Sequence, residues 1–250
     1  MTTRWKLTLE YDGSGFCGWQ RQPHAPSVQQ TLEEAIQKFC GENARLFVAG
    51  RTDTGVHARA QVAHVDLEKQ TTGNTLRDAV NFYLHGHAIA VLEAVSVDDT
   101  FHARLSAIQR TYRYLIINRR APLTFQASTA WQVPSPLDTD SMQRAANILL
   151  GKHDFSTFRA SHCQAKSPIK TLDSIDIFRD GETITLWTSA RSFLYHQVRN
   201  IVGTLCLVGS GAWSLDDFQK AFAACDRKEG GPTAPAQGLC FWQVSYPQKN

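Results

Sequence analysis

The sequence predicts an α+β protein made of two units that each have the element order βαββαβ. Strands are indicated by alternation of apolar and polar residues, and helices by apolar residues spaced three and four positions apart. The same order recurs in the second half of the chain, although the halves share no obvious sequence similarity. Two such units predict two ferredoxin-like, mainly antiparallel sheets. A chain of 250 residues, 42% of them hydrophobic, is long enough for two domains with buried cores.

The first half contains four predicted strands and two predicted helices. Ser27 with Gln30 resembles a capping box, and apolar residues follow it at helical spacing. Thr75 and Asp78 predict the start of a second helix, which continues through Leu84. The strands are expected at residues 6–11, 45–49, 61–65 and 89–97.

The second half repeats this order. One helix is expected to end at Gly151, and a later helix is capped by Ser214 with Asp217. Strands are expected at residues 111–117, 175–178, 183–188 and 240–246, and helices at 140–150 and about 194–208. The boundary falls near Ser106, which gives an N-terminal domain 1–105 and a C-terminal domain 106–250. We expect the active-site cleft between them.

The cysteine pattern and the lack of long apolar segments predict a cytoplasmic protein. The six cysteines include no C-x-x-C pair, and several lie in apolar runs, so we expect reduced thiols without disulfides. The first residues contain no apolar signal core. No segment approaches the roughly 20 apolar residues that a membrane span needs.

Neither a cofactor nor a metal is predicted. Residues 13–18 fit the pattern G-x-G-x-x-G, but no helix opens at Gly18, where a dinucleotide site needs helix amides for the pyrophosphate. The histidines lack the spacing of a metal motif such as H-E-x-x-H. No Walker loop or G-x-S-x-G elbow occurs, so the usual anchors of nucleotide hydrolysis and acyl-enzyme chemistry are missing.

The strongest candidate for a reactive group is Asp53. It lies between two predicted strands in a segment that contains Arg51, Thr52, Thr54 and Gly55, residue types that favour a tight loop. The Arg51 guanidinium would keep a neighbouring carboxylate ionised and attract an anionic substrate. A turn with a local Arg/Asp ion pair is the simpler interpretation of such a triplet.

A basic stretch predicts a polyanionic partner with exposed bases. Residues 100–137 contain no Asp or Glu but include Arg104, Arg110, Arg113, Arg119 and Arg120, together with aromatic residues. This composition is typical of nucleic-acid binding. An edge strand protected by arginines is the alternative.

Two further residues have both a functional and a structural interpretation. Tyr112 and Tyr114 share one face of a predicted strand, where an aromatic ring can stack on a base or simply pack in a half-buried sheet. Arg199 lies on an otherwise apolar helix, where it either pairs with a carboxylate from the other domain or reaches water.

Several motifs resemble those of the TruA-type bacterial tRNA pseudouridine synthases. They follow one another along nearly the whole chain: Tyr11-Asp12-Gly13, residues 16–22, 49–58, 101–104, 110–114, 155–159, 198–203 and 231–239. At residue 237 the family often has Glu, whereas this chain has Gln237.

The resemblance implies a cofactor-free isomerase that converts uridine to pseudouridine at positions 38, 39 and 40 of tRNA and works as a homodimer. It assigns the nucleophile to Asp53, the neighbouring arginine to Arg51 and the base-stacking tyrosine to Tyr112. It assigns the arginine that pairs with the aspartate to Arg199, and the apolar pocket residue to Leu239. The reaction needs a nucleophile for either the sugar C1′ or the base C6, and Asp53 is a carboxylate in a suitable loop.

Two other classes of function remain open from the residues. A non-catalytic RNA-binding protein with two ferredoxin-like units would use Asp53 only structurally. An RNA hydrolase such as a phosphodiesterase would be expected to carry paired histidines in repeated motifs, which the sequence lacks.

Overall fold

The computed structural model describes residues 2–247. The first half of the chain has the predicted order βαββαβ. Its elements are β1 (Thr3–Tyr11), α1 (Val28–Cys40), β2 (Phe47–Val48), β3 (His57–Leu67), α2 (Gly73–Tyr83) and β4 (Ile89–Val97). The prediction for this half is confirmed, with β2 shorter and β3 longer than expected.

The sheet of the first half has the ferredoxin-like arrangement. Strand β1 lies between β4 and β3 and is antiparallel to both, and β2 is antiparallel to β3. Alternate residues of β1, including Leu7 and Leu9, are fully buried, as are Leu32 and Ile36 of α1. The alternation in the sequence therefore identified the core-facing side of this strand.

The two helices begin where a side-chain hydroxyl accepts a hydrogen bond from a backbone amide three residues further along. Ser27 accepts a hydrogen bond from the amide of Gln30, as predicted, but the Gln30 side chain donates to Glu34 instead of completing a capping box. Helix α2 is capped by Thr72 and not by Thr75, so that expected start was wrong by about one turn. The earlier start is possible because Gly73 has no Cβ, which would lie 2.1 Å from the carbonyl oxygen of Ala94.

The second half contains more elements than expected. They are β5 (Gln109–Ile117), β6 (Trp131–Gln132), α3 (Thr139–Asn147), β7 (Gly151–Asp154), β8 (Ile169–Asp180), β9 (Thr183–Ala190), α4 (Gln197–Gly209), α5 (Leu215–Ala223) and β10 (Leu239–Ser245). Strands β5, β9, β8 and β7 are neighbours in that order. The pairs β7–β8 and β8–β9 are antiparallel, whereas β6 is parallel to β5.

The described residues form two compact units. Residues 2–110 and 240–247 form the first, and residues 111–239 form the second. Strand β10 is parallel to β3 at Cys240 and Phe241, so the end of the chain belongs to the first unit. The expected division near Ser106, with residues 106–250 in one domain, does not include this return of the chain to the first unit.

Two boundaries in the second unit differ from the expected ones for local backbone reasons. Helix α3 stops at Asn147, and Gly151 adopts φ 93° at the start of β7. Helix α4 begins only at Gln197, because His196 before it has the left-handed φ of 60°. The capping box of Ser214 with Asp217 is present as predicted.

Two general features of the described residues bear on earlier expectations. All six cysteines are free thiols. Within residues 2–247, no helix combines the length and the apolar character that crossing a bilayer would require.

A buried histidine in the first unit makes stability depend on pH. His64 is 2% exposed, its Nδ1 accepts a hydrogen bond from the amide of Ala103, and its ring lies 4.7 Å from that of His102. Burial, helped by the charges of His102 and Arg4 and opposed by Asp66, lowers the pKa of His64 from 6.5 to about 4.

The free energy of unfolding is therefore expected to fall as the pH decreases from 6.5 to 4. The unfolded chain binds a proton on His64 in that range, whereas the folded protein does not, so stability is fully present above pH 6.5. The loss reaches about 3 kcal/mol for a shift of this size. Urea unfolding at pH 7, 5.5 and 4.5 measures it, and H64Q should show a smaller decrease. An equal decrease in both proteins would contradict this assignment.

Candidate active site

The candidate nucleophile lies in a short loop of the first unit. Residues 49–56 connect β2 to β3, with Asp53 half-buried and Arg51 exposed. The loop turns sharply, since the amide of Val56 donates to the carbonyl of Asp53 at 3.1 Å and Gly55 adopts φ 77°. The predicted tight connection carrying Asp53 is present.

The loop is fixed by residues on both sides of Asp53. The carbonyl of Thr52 accepts a hydrogen bond from the amide of Trp19 at 3.0 Å. The hydroxyl of Thr52 lies 2.8 Å from the hydroxyl of Tyr11. On the other side, the amide of Gly55 donates to the carbonyl of Phe16 at 3.4 Å. Most of these contacts involve the main chain, and they hold the path of the loop on both sides of Asp53.

A glycine-rich segment of residues 12–19 makes this close contact possible. A Cβ on Gly18 would lie 2.6 Å from the carbonyl oxygen of Thr52, and one on Gly13 would lie 2.1 Å from that of Val56. Gly18 also adopts φ 81°, which favours glycine. In the sequence these glycines fitted a cofactor pattern; in the structure they let one backbone segment pack against the Asp53 loop.

Buried polar side chains support the same loop from the sheet. Tyr11 is 4% exposed, and its hydroxyl contacts Thr52 and the side-chain amide of Gln61. Burial raises the pKa of Tyr11 well above its ordinary value, against the opposing effect of these hydrogen bonds, so this hydroxyl stays neutral. The Gln61 amide also donates to the carbonyl of Gly50 at 2.7 Å.

Arg110 is a support of the loop rather than a residue of an exposed basic surface. It is 8% exposed, and its guanidinium donates to the carbonyl of Ala49 at 2.9 Å and to that of Arg104 at 2.7 Å. The interpretation of Arg110 as part of an RNA-binding surface is therefore wrong, because its donors are used inside the protein. Arg104 and Arg120 are exposed, whereas Arg119 pairs with Glu182 at 3.1 Å.

The two tyrosines of β5 have different environments. Tyr112 is half-buried, and its ring meets that of Phe193 edge-on at 5.1 Å. Tyr114 is fully buried, and its hydroxyl donates to the carbonyl of Pro235 at 2.7 Å. Tyr114 is thus a core residue, and only Tyr112 retains an accessible portion.

Arg199 and Leu239 lie in the second unit and are connected through one loop. The Nε of Arg199 donates to the carbonyl of Ala234 at 2.8 Å, and the amide of Ala234 donates back to the carbonyl of Arg199 at 3.1 Å. The loop continues through a short 3₁₀ turn to Leu239, which is 5% exposed. Gly203 lets the loop approach α4, because a Cβ there would lie 1.8 Å from the carbonyl oxygen of Pro232.

The candidate residues thus form two groups. Arg51 and Asp53 share the loop of the first unit, whereas Tyr112, Arg199 and Leu239 belong to the second. In the part of the chain that the structure describes, no three His, Cys, Asp or Glu side chains are grouped so that they could hold a metal ion.

Sequence reasoning missed the residues that hold the loop. Tyr11, Trp19, Gln61 and Arg110 were not singled out for this role, because their contacts join segments far apart in the chain. Gly13 and Gly18 could have pointed to Tyr11 and Trp19, because glycines of this kind often mark a close approach of two backbones.

The fold and the loop define an α+β protein that presents a carboxylate from a rigid connection between two antiparallel strands. Residues 8–105 and 145–247 match the family described as tRNA pseudouridine synthase. The chain belongs to this family.

Relatives of similar length support the assignment. The chain is 56% identical to tRNA pseudouridine synthase A of Paramagnetospirillum magneticum, over 97% of this chain and 95% of that protein. It is 55% identical to the protein of that name in Rhodospirillum centenum and 54% identical to that in Parvibaculum lavamentivorans, each over 97% of this chain and 99% of the relative.

One solved structure, titled "Crystal Structure of a Cbf5-Nop10-Gar1 Complex", aligns at 11% identity over 81% of this chain and 45% of that chain. Its TM-score of 0.37 is too low to support an argument.

Proposed function

We propose that this protein is an isomerase that converts uridine to pseudouridine in tRNA, at positions 38, 39 and 40 of the anticodon stem-loop. The observation that carries the proposal is the rigid presentation of Asp53 in a chain of this family: the loop is fixed by Trp19, Tyr11 and Phe16. A carboxylate held in a defined position is what nucleophilic catalysis on a captive nucleoside requires.

The reaction rearranges the uridine without gain or loss of atoms. The bond between N1 and C1′ breaks, the uracil turns, a bond forms between C5 and C1′, and the proton on C5 leaves while N1 gains one. Asp53 starts the reaction by attacking either C1′ or C6. To Arg51 and, by the resemblance, to Arg199 we assign the role of favouring the ionised form of this carboxylate.

Tyr112 holds the uracil during its rotation. The uridine must leave the base stack to reach Asp53, and an aromatic face can keep a flipped base in place. Packing against Phe193 at 5.1 Å restricts the orientation of the Tyr112 ring. Its phenolate form is the candidate acceptor of the C5 proton, which requires the hydroxyl to lose its own proton first, and Leu239 supplies an apolar wall.

The Y112F variant is expected to bind tRNA normally but to turn over about 100-fold more slowly, since general bases typically contribute a factor of that size. The matched control is Y114F, which loses the buried hydrogen bond to Pro235 and about 1 kcal/mol of stability but keeps its turnover. Single-turnover rates at saturating tRNA compare the two variants. Near-normal turnover in Y112F would limit this side chain to stacking.

The partner is tRNA, recognised through shape and backbone rather than local sequence, because three adjacent positions are modified. The protein acts in the cytoplasm and as a homodimer, in keeping with the resemblance noted from the sequence.

Mapping of pseudouridine in defined transcripts tests the proposal. Three unmodified tRNA transcripts, each with uridine at only one of positions 38, 39 and 40, are incubated with the protein. They are then treated with a carbodiimide that leaves a stable adduct on pseudouridine but not on uridine, because the two nucleosides have the same mass, and the adducts are located by mass spectrometry of the fragments. We expect pseudouridine at each position and none in a transcript that lacks all three uridines. Tight binding of all transcripts without pseudouridine would favour the non-catalytic RNA-binding alternative.

A further inference from the structure

An open pocket of about 500 Å³ lies wholly within the second unit. Its lining includes Arg159 beside a short 3₁₀ turn, His196 before α4, and Arg227 and Thr233 from the segment after α5. The volume falls in the range of about 300–1,000 Å³ that small-ligand pockets occupy, and it exceeds what a single phosphate group needs. None of the residues proposed for the chemistry lines this pocket.

Two arginines of the pocket are held in place without being neutralised. Arg159 donates from Nη2 to the carbonyls of Cys163 and Ala165, at 3.1 and 2.7 Å. Arg227 donates to the carbonyl of Gly230 at 3.2 Å. Within residues 2–247, neither arginine forms an ion pair with a carboxylate.

Neutral groups complete the contacts of Arg227. Its Nη2 donates to Asn200 and to Thr233, each at 3.2 Å. Burial lowers the pKa of this guanidinium, which nevertheless stays charged at neutral pH. Carbonyls and neutral side chains fix the direction of a guanidinium but leave its positive charge to attract an anion.

The remaining lining combines hydroxyl groups with apolar surface and adds one negative charge. Asp226 lines the pocket, but its carboxylate accepts a hydrogen bond from the amide of Lys228, so it caps a local turn. Ser161 contributes a hydroxyl. Two residues of the lining, His196 and Cys225, have left-handed φ values of 60° and 52°, which cost energy for residues other than glycine and concentrate at binding sites.

We propose that this pocket binds a phosphodiester group of the RNA substrate, with part of the adjoining nucleoside, at a nucleotide other than the uridine that reacts. Arg159 and Arg227 contact the phosphate oxygens, and the hydroxyl groups and apolar surface of the remaining lining accommodate the nucleoside. The proposal rests on the proposed function for the identity of the RNA, but not for the presence of an anion site. Such a site lets the enzyme bind the RNA backbone without recognising a particular base.

The salt dependence of tRNA binding tests the proposal. In R159Q, one phosphate contact is lost, so we expect the dissociation constant to rise about tenfold at low salt. The slope of log K against log salt should decrease in magnitude by about 0.7–0.9. The rate at saturating tRNA should stay as in the wild type, because the pocket takes no part in the chemistry. K152Q removes one positive charge from an exposed strand residue of the same unit and should change neither quantity.

A second variant covers the case in which R159Q does not fold. S161D places a carboxylate at an exposed residue of the lining and should weaken tRNA binding in the same way, without removing any support of the fold. Wild-type affinity and slope in a folded R159Q or S161D would overturn the proposal. The proposal would also be overturned if the pocket bound only free anions. In that case inorganic phosphate would raise the melting temperature of the wild type, while the variants would bind tRNA normally.

The same measurements distinguish failure of the pocket from failure of the proposed function. Weakened tRNA binding with an unchanged rate at saturation supports both the pocket and the isomerase. Weakened binding in a protein that forms no pseudouridine would support the pocket and contradict the proposed function. Unchanged binding with pseudouridine formed would contradict only the pocket.

Discussion

The D53N variant is expected to lose pseudouridine formation by at least about 10⁴-fold, since removal of a nucleophile costs a factor of that order. An amide has nearly the shape of the carboxylate but cannot attack C1′ or C6. We expect the variant to fold, because the hydrogen bonds of Thr52 and of the main chain at Gly55 and Val56 remain available to hold the loop. Binding of tRNA should therefore persist.

Three measurements make this expectation decisive: the single-turnover rate, the dissociation constant for tRNA and the melting temperature. The control is D78N, which changes an exposed carboxylate on α2 of the same unit and should keep the wild-type rate. Turnover of D53N within tenfold of the wild type would rule out Asp53 as the nucleophile. If D53N loses both its activity and its fold, the variant D53E is used instead. It keeps a carboxylate at this position but displaces it from its place in the loop.

The G13A variant is expected to reduce both activity and stability, although residue 13 itself takes no part in the chemistry. Its Cβ would lie 2.1 Å from the carbonyl oxygen of Val56 and 2.5 Å from the carbonyl carbon, and both are backbone atoms that cannot rotate away. The Asp53 loop or the 12–19 segment must then move by about 1 Å. A displacement of that size costs about 100-fold in rate, and overpacking costs about 1–3 kcal/mol.

The matched control lies two residues away in the same motif. A Cβ on Gly15 would meet nothing within 4 Å, so G15A should keep its rate and its melting temperature. The ratio of kcat/KM between the two variants isolates the effect of the close approach from that of adding a methyl group to this segment. Equal values of kcat/KM for G13A and G15A would mean that the contact between Gly13 and Val56 does not position the loop.

The order of elements was predictable in the first half because all of its elements except β2 are long enough to show their periodicity. Strand β4 was predicted with its observed bounds, 89–97, whereas the start of α2 was misplaced and the bounds of β1, β2 and β3 differ from the expected ones. The short strands β6 and β7, of two and four residues, have too few positions to display an alternation. The return of β10 to the first unit depends on contacts between distant segments, which local patterns do not encode.

The candidate nucleophile could be predicted, but the means of holding it could not. The Asp53 loop was identified from its own residues and its position between two strands. Its supports come from β1, from the 12–19 segment and from Arg110, which are distant in sequence and become neighbours only in the folded sheet. Arg110 was misinterpreted for the same reason, because a charge pattern does not distinguish an exposed arginine from one whose donors are used internally.

Release of tritium from tRNA that carries C5-labelled uridine tests whether this protein alone converts uridine to pseudouridine. The assay contains the purified protein, a chelator and no added nucleotide, so that only the residues of the chain can carry the reaction. We expect release in amounts that equal the pseudouridine formed, since the proton on C5 must leave when that carbon joins C1′. Tight binding of the labelled tRNA without release of tritium would contradict it.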